Sequence, residues 1–109
     1  MNYVFVRSDR FKRDLLKLRK KNPHLEQDLQ AFLETFDHAL GDFISDTGGA
    51  KKIRMKMTGK GKSGGYRVVY YFCRGDHVFF LTIYPKGAKE NLTSDDKKLI
   101  REMIHDISG

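Results

Sequence analysis

The sequence predicts a single α+β domain with a mostly antiparallel sheet, an N-terminal helix pair and a C-terminal helix. Three observations predict it: a β-branched and aromatic run at the start, two successive apolar stripes of helical period, and three strand-like runs followed by one more amphipathic stretch. The expected order is β-α-α-β-β-β-α over residues 1–109, a length that suits one core. The place of the first strand in the sheet stays open.

Asn2 to Val6 reads as the first strand. Ser8 or Asp9 can cap a helix reaching about Lys21, with Phe11, Leu15 and Leu18 on its buried face. Asn22-Pro23 then offers a cap and a first-turn proline. The next helix carries Leu25, Leu29, Phe32, Leu33, Phe36 and Leu40 at helical spacing and ends at Gly41. Two such neighbours suggest an antiparallel helix hairpin laid on a sheet. A polar loop closes at Gly48-Gly49, and a strand from Lys51 to Met57 follows. Its alternation sends Lys52, Arg54 and Lys56 one way and Ile53, Met55 and Met57 the other. Thr58 to Gly65 is expected as a mobile hairpin loop. Tyr66–Cys73 and Val78–Tyr84 are the next strands, joined at Arg74-Gly75-Asp76. Thr93 with Asp96 resembles a capping box and opens a last helix that buries Leu99, Ile100, Met103, Ile104 and Ile107.

Composition narrows the function classes. The single Cys73 has no internal partner, which suggests a reducing compartment. No apolar run is long enough to span a bilayer, and charged residues interrupt the N-terminal stretch, so the expectation is a cytoplasmic protein without membrane contact. The net charge of +7 favours a polyanionic partner. Its distribution says more. Residues 1–50 hold eight Lys/Arg against eight Asp/Glu; residues 51–89 hold ten against Asp76 alone. Basic charge therefore concentrates on the central strands, with no acidic residue interspersed. Like charges facing each other across strands are destabilising, so a uniform cluster points to a missing anion.

Arg67, Val69 and Tyr71 share one face of their strand; if Arg67 lies beside Arg54, Tyr84 and Lys86 converge on the same patch. Gly61-Lys62-Ser63 imitates the end of a phosphate loop, but the required first glycine is Lys56 and the segment leads into a strand. It reads instead as a hairpin carrying Lys60 and Lys62 toward a polyanion. No cofactor or metal is expected, since one carboxylate among lysines cannot hold Mg²⁺. The four histidines form no pair with a carboxylate in the basic run.

The run Thr47-Gly-Gly-Ala-Lys-Lys-Ile-Arg54, then Gly59-Lys-Gly-Lys-Ser-Gly-Gly-Tyr-Arg-Val-Val-Tyr-Tyr-Phe72, then Leu81-Thr-Ile-Tyr-Pro-Lys86 with Lys89-Glu-Asn-Leu92, resembles the RelE/HigB-type toxins of bacterial toxin–antitoxin systems, closest to the HigB-like branch. The resemblance covers nearly the whole chain. It implies a microbial-ribonuclease-like fold and a metal-independent mRNA endoribonuclease that acts on the ribosome, inhibits translation and is silenced by a cognate antitoxin. Lys52 and Arg54 match the family's basic pair, Arg67 its arginine after the Gly-Tyr step, and Lys86 a basic residue after the last strand. Lys56, Lys60, Lys62 and Lys89 are the accompanying RNA contacts. Where many members carry a catalytic tyrosine this chain reads Asn91-Leu92, and Tyr84 is the substitute.

Internal transesterification needs a base for the 2′-OH, cations for the phosphorane and an acid for the leaving oxygen. Arg54 and Arg67 suit the cationic role. Lys52 is the expected base, because neighbouring cations favour a neutral lysine, and Tyr84 or Lys86 the acid. Two other readings compete: a ParE-like toxin that acts on DNA gyrase without cleaving RNA, and an RNA-binding module without turnover.

Overall fold

The computed structural model describes residues 2–59, 64–88 and 91–109. Its elements run β1 (Val4–Arg7), α1 (Asp9–Arg19), α2 (Leu25–Glu34), a 3-10 turn (His38–Leu40), β2 (Asp42–Phe43), β3 (Lys51–Met55), β4 (Tyr66–Cys73), β5 (His77–Pro85) and α3 (Ser94–Ser108). One five-stranded sheet has the order β1-β5-β4-β3-β2. β1 pairs in parallel with β5, and the other pairs are antiparallel. This is the α+β fold expected, and it places the first strand at the sheet edge beside β5.

Each face of the sheet follows from period-2 alternation. On one face, Met55, Tyr66, Val68, Tyr70, Val78, Phe80 and Ile83 pack under Phe11 and Leu15 of α1 and Leu25 and Leu29 of α2. Phe36 is the hub there, meeting the rings of Tyr3, Phe5, Phe32, Tyr70 and Phe80. On the other face, Val69, Leu81 and Tyr84 pack against Leu92, Ile100 and Ile104. α3 begins with a true capping box, in which the Thr93 hydroxyl accepts from Asp96 N–H and the Asp96 carboxylate accepts from Thr93 N–H.

Several boundaries differ from the sequence expectation. α2 stops at Glu34, not Gly41. Phe36 leaves the helix because the aromatic hub holds it better than another turn would, and Leu40, expected on the buried stripe, is 68 % exposed. β2 was not expected at all; two residues cannot show a period. β3 ends at Met55, so Lys56 lies beyond the ladder. Leu99 lies outside the α3 stripe and is exposed.

Two glycines are required by close approach. A Cβ on Gly41 would overlap the Tyr70 hydroxyl. Gly65, at φ +107°, would bring a Cβ to 2.6 Å from Met55 O. The first lets the chain turn into β2; the second closes the β3–β4 hairpin. β4 and β5 pair with a bulge between Val69 and Tyr70: Tyr70 faces Phe80 and Val69 faces Thr82, leaving Leu81 as the extra residue.

Candidate nucleic-acid interface

The centre of the site is a row across three strands. Arg54 of β3 is the register partner of Arg67 of β4, and Arg67 is the register partner of Tyr84 of β5. Lys52 lies two pairs further along, opposite Val69 on one side and Asp42 on the other. All four come from the sheet face opposite the helix pair, because Ile53, Met55, Tyr66, Val68 and Ile83 take the other. Lys52, Arg54 and Arg67 line a hollow of about 470 Å³ together with Leu40, Asp42 and Ile53. Lys52 and Tyr84 also border a second hollow of about 190 Å³, completed by Phe43, Ile44, Ser45, Asn91, Leu92 and Lys97. Lys52 is thus shared by both.

Hydrogen bonds show which cations are held. An Arg54 Nη2 donates to Gly64 O at 3.2 Å, tying the guanidinium to the start of β4. Arg67 is half-buried, and its Nη1 is buried with no hydrogen-bond partner. A buried guanidinium nitrogen without an acceptor forfeits its hydration, so it is a ready donor for an anion entering the hollow. Tyr84 is 7 % exposed. Burial raises its phenol pKa above the ordinary value; the Arg67 guanidinium pulls it down and the Asp96 carboxylate adds to the rise. The phenol therefore keeps its proton at neutral pH and can give it.

A family model described as "RelE toxin of RelE / RelB toxin-antitoxin system" matches residues 10–108. The chain belongs to the RelE toxin family. As a RelE-family protein it is the toxin of a toxin–antitoxin system, and that membership implies an antitoxin as partner. The matched span runs from α1 to the end of α3 and contains the whole basic row.

Not every expected residue of this RelE-family toxin joins the row. Lys86 is exposed and borders neither hollow, although its backbone N–H donates to Gly65 O at 2.9 Å. Lys56 lines a different hollow with Arg54 and with Asp28, Ala31, Phe32 and Thr35 of the helix-pair side. It parts from Lys52 because the strand alternation has already ended. Lys60, Lys62 and Lys89 lie outside the described residues.

The basic face is less uniform than its sequence suggested. Asp42 sits opposite Lys52 and lines the same hollow, and Asp96 acts on Tyr84 from the first turn of α3. Both come from segments outside residues 51–89, so only tertiary structure brings them in. Asp96 is held in turn by Arg10 at 3.3 Å. One histidine does have a carboxylate beside it within the basic run: His77 Nδ1 lies 2.7 Å from Asp76. That pair stands where β4 meets β5 at Cys73, the far end of the strands from Arg67 and Tyr84.

The loop before β3 is fixed to this face by polar contacts. Buried Thr47 donates to Ile44 O at 2.7 Å and accepts from Ala50 N–H at 3.1 Å. Lys97 of α3 reaches Ser45 Oγ at 3.4 Å. The walls of the smaller hollow are therefore joined to α3.

Proposed function

We propose that this RelE-family toxin, closest to the HigB-like branch, is an endoribonuclease that cuts mRNA on the ribosome without a metal ion and so inhibits translation. The observation that carries the reading is the Arg54–Arg67–Tyr84 row with an unpartnered Arg67 nitrogen buried at its centre. Two guanidinium groups side by side, with a lysine next to them and a protonated phenol beyond, match the needs of RNA transesterification.

In this mechanism Lys52 takes the proton from the 2′-OH. The freed oxygen attacks phosphorus, and the bond to the 5′ oxygen breaks. Arg54 and Arg67 neutralise the phosphorane, the task a divalent cation performs elsewhere. Tyr84, which holds its proton at neutral pH, protonates the leaving oxygen. Lys86 is the alternative acid. Lys56, Lys60, Lys62 and Lys89 contact flanking phosphates. Orientation comes from the ribosome, which places the toxin in the cytoplasm. No helix among the described residues is long and apolar enough to cross a membrane.

Mapping mRNA ends in cells after induction tests the proposal. Discrete cuts in frame with codons, leaving 2′,3′-cyclic phosphate ends, are expected. DNA damage without such cuts would establish the gyrase-directed, ParE-like alternative; RNA binding without new ends would establish a binding module. Purified toxin is expected to cut translating mRNA far faster than naked RNA, and equal rates would remove the ribosome from the mechanism.

A further inference from the structure

Lys97 stands on the wrong side of its helix for an ordinary surface lysine. It precedes buried Ile100 by three residues and buried Ile104 by seven, so it belongs to the face that α3 turns toward the sheet. Its side chain is half-buried and borders the smaller hollow, of about 190 Å³, with Lys52, Tyr84, Ser45 and Asn91. Among the described residues no Asp or Glu lines that hollow, and neither Lys52 nor Lys97 takes part in an ion pair. The Lys97 ammonium donates only to Ser45 Oγ there, at 3.4 Å, a long contact with a neutral group. The adjacent carboxylate, Asp96, is engaged by Arg10 and by the Thr93 N–H. The groove between α1 and α3 is built differently: Asp9, Asp14, Glu102 and Asp106 stand among Arg10, Arg13 and Lys17, and the charges answer one another. Two half-buried ammonium groups without a counter-charge repel each other and have lost hydration, and a bound anion relieves both costs.

The smaller hollow adjoins the cationic row through Lys52, which also borders the hollow of Arg54 and Arg67. Tyr84, the acid for the leaving 5′ oxygen, stands in its wall. The nucleotide that carries that oxygen thus leads into this hollow, and its 3′ phosphate is the next charge along the strand. We propose that Lys97 holds the phosphate immediately 3′ of the scissile one. The inference rests on RNA as the ligand of this face and adds to it a contact from α3. The incoming phosphate replaces the Ser45 hydroxyl with an ionised acceptor, which makes the stronger hydrogen bond.

The probes are 2′-O-methyl RNAs, which cannot be cut: a dinucleotide, and the same dinucleotide bearing a methyl phosphate diester on its 3′ or on its 5′ end. The two extended probes carry equal charge. Binding is read by NMR titration at low salt, where phosphate contacts are strongest. Wild type should bind the 3′-extended probe on the order of ten-fold more tightly than the plain dinucleotide. Lys97→Met should lose that gain and bind the plain dinucleotide as wild type does, whereas Lys97→Arg should keep it. Ser45→Ala removes the hydroxyl and leaves the ammonium, so it should keep the gain too; equal losses in Ser45→Ala and Lys97→Met would reduce Lys97 to a tie for the loop and overturn the proposal. On a 2′-O-methyl hexanucleotide, Lys97→Met should make the slope of log affinity against log salt shallower by about 0.7. Equal affinity of wild type for all three short probes, with the hexanucleotide still bound, sinks this inference alone. A gain confined to the 5′-extended probe overturns it as well. So does loss of antitoxin binding by Lys97→Met with the 3′ gain intact, which would assign the ammonium to a protein carboxylate. Failure of wild type to bind even the hexanucleotide would sink the RNA reading and this one with it.

Discussion

The two faces of the sheet share strands but not fates. Under α1 and α2, the face carrying Tyr66, Val68, Tyr70 and Phe80 is closed by the Phe36 ring cluster. Beyond it, α3 covers Val69 and Leu81 with Ile100 and Ile104 and leaves Lys52, Arg54 and Arg67 around an open hollow. On β4 these environments alternate residue by residue. Stability and binding are therefore separable here: one face can be weakened without touching the other.

The largest expected effect is on the closed face. Phe80→Ala removes a ring that is 1 % exposed and should cost about 3–5 kcal/mol in denaturant unfolding. A loss under 1 kcal/mol would mean that the aromatic cluster is not the core. Arg67→Ala gives the converse result: mRNA cleavage should fall about 100- to 1,000-fold while the unfolding midpoint hardly moves, since the lost nitrogen has no partner to strand. Wild-type cleavage by that variant would take Arg67 out of the chemistry.

Alkaline titration sharpens the contrast. Burial pushes Tyr70 up to about 12 from 10.0. The folded state then holds a proton that the unfolded chain gives up above pH 10, so Tyr70's contribution is full below pH 10 and lost as pH rises through 12. The loss should be about 2–3 kcal/mol, and Tyr70→Phe should flatten the slope over that window. An unchanged slope in the variant would assign alkaline unfolding elsewhere. The smallest effect sits at the α3 cap: Thr93→Ala should cost about 1 kcal/mol, measured by thermal melting, and a neutral result would show that the Asp96–Arg10 link holds the helix start unaided.

Much of this was legible in the residues themselves. Ile53 and Met55 against Lys52 and Arg54 displayed a strand with one wet side, and Thr93 with Asp96 announced the start of α3. Residues 25–33 showed their helix plainly; its end was obscured because Phe36 keeps the apolar spacing after the helix has stopped. What stayed hidden depends on long-range geometry. The pairing of β1 with β5 joins segments some seventy residues apart, and β2 exists only because Tyr70 and Gly41 bend the chain alongside β3. Asp42 and Asp96 carry no local mark of their approach to Lys52 and Tyr84.

The bulge at Leu81 hides which side of the molecule Tyr84 belongs to. Counting odd and even from Phe80 would send position 84 under the helix pair, and the one supernumerary residue reverses that parity. Without Leu81, Phe80, Thr82, Ile83 and Tyr84 would run in plain alternation opposite Tyr70, Val69, Val68 and Arg67, and Tyr84 would keep its place beside Arg67. The extra residue thus reaches the chemistry only through packing: it sets buried Leu81 against α3, while the reacting row keeps its register with or without it.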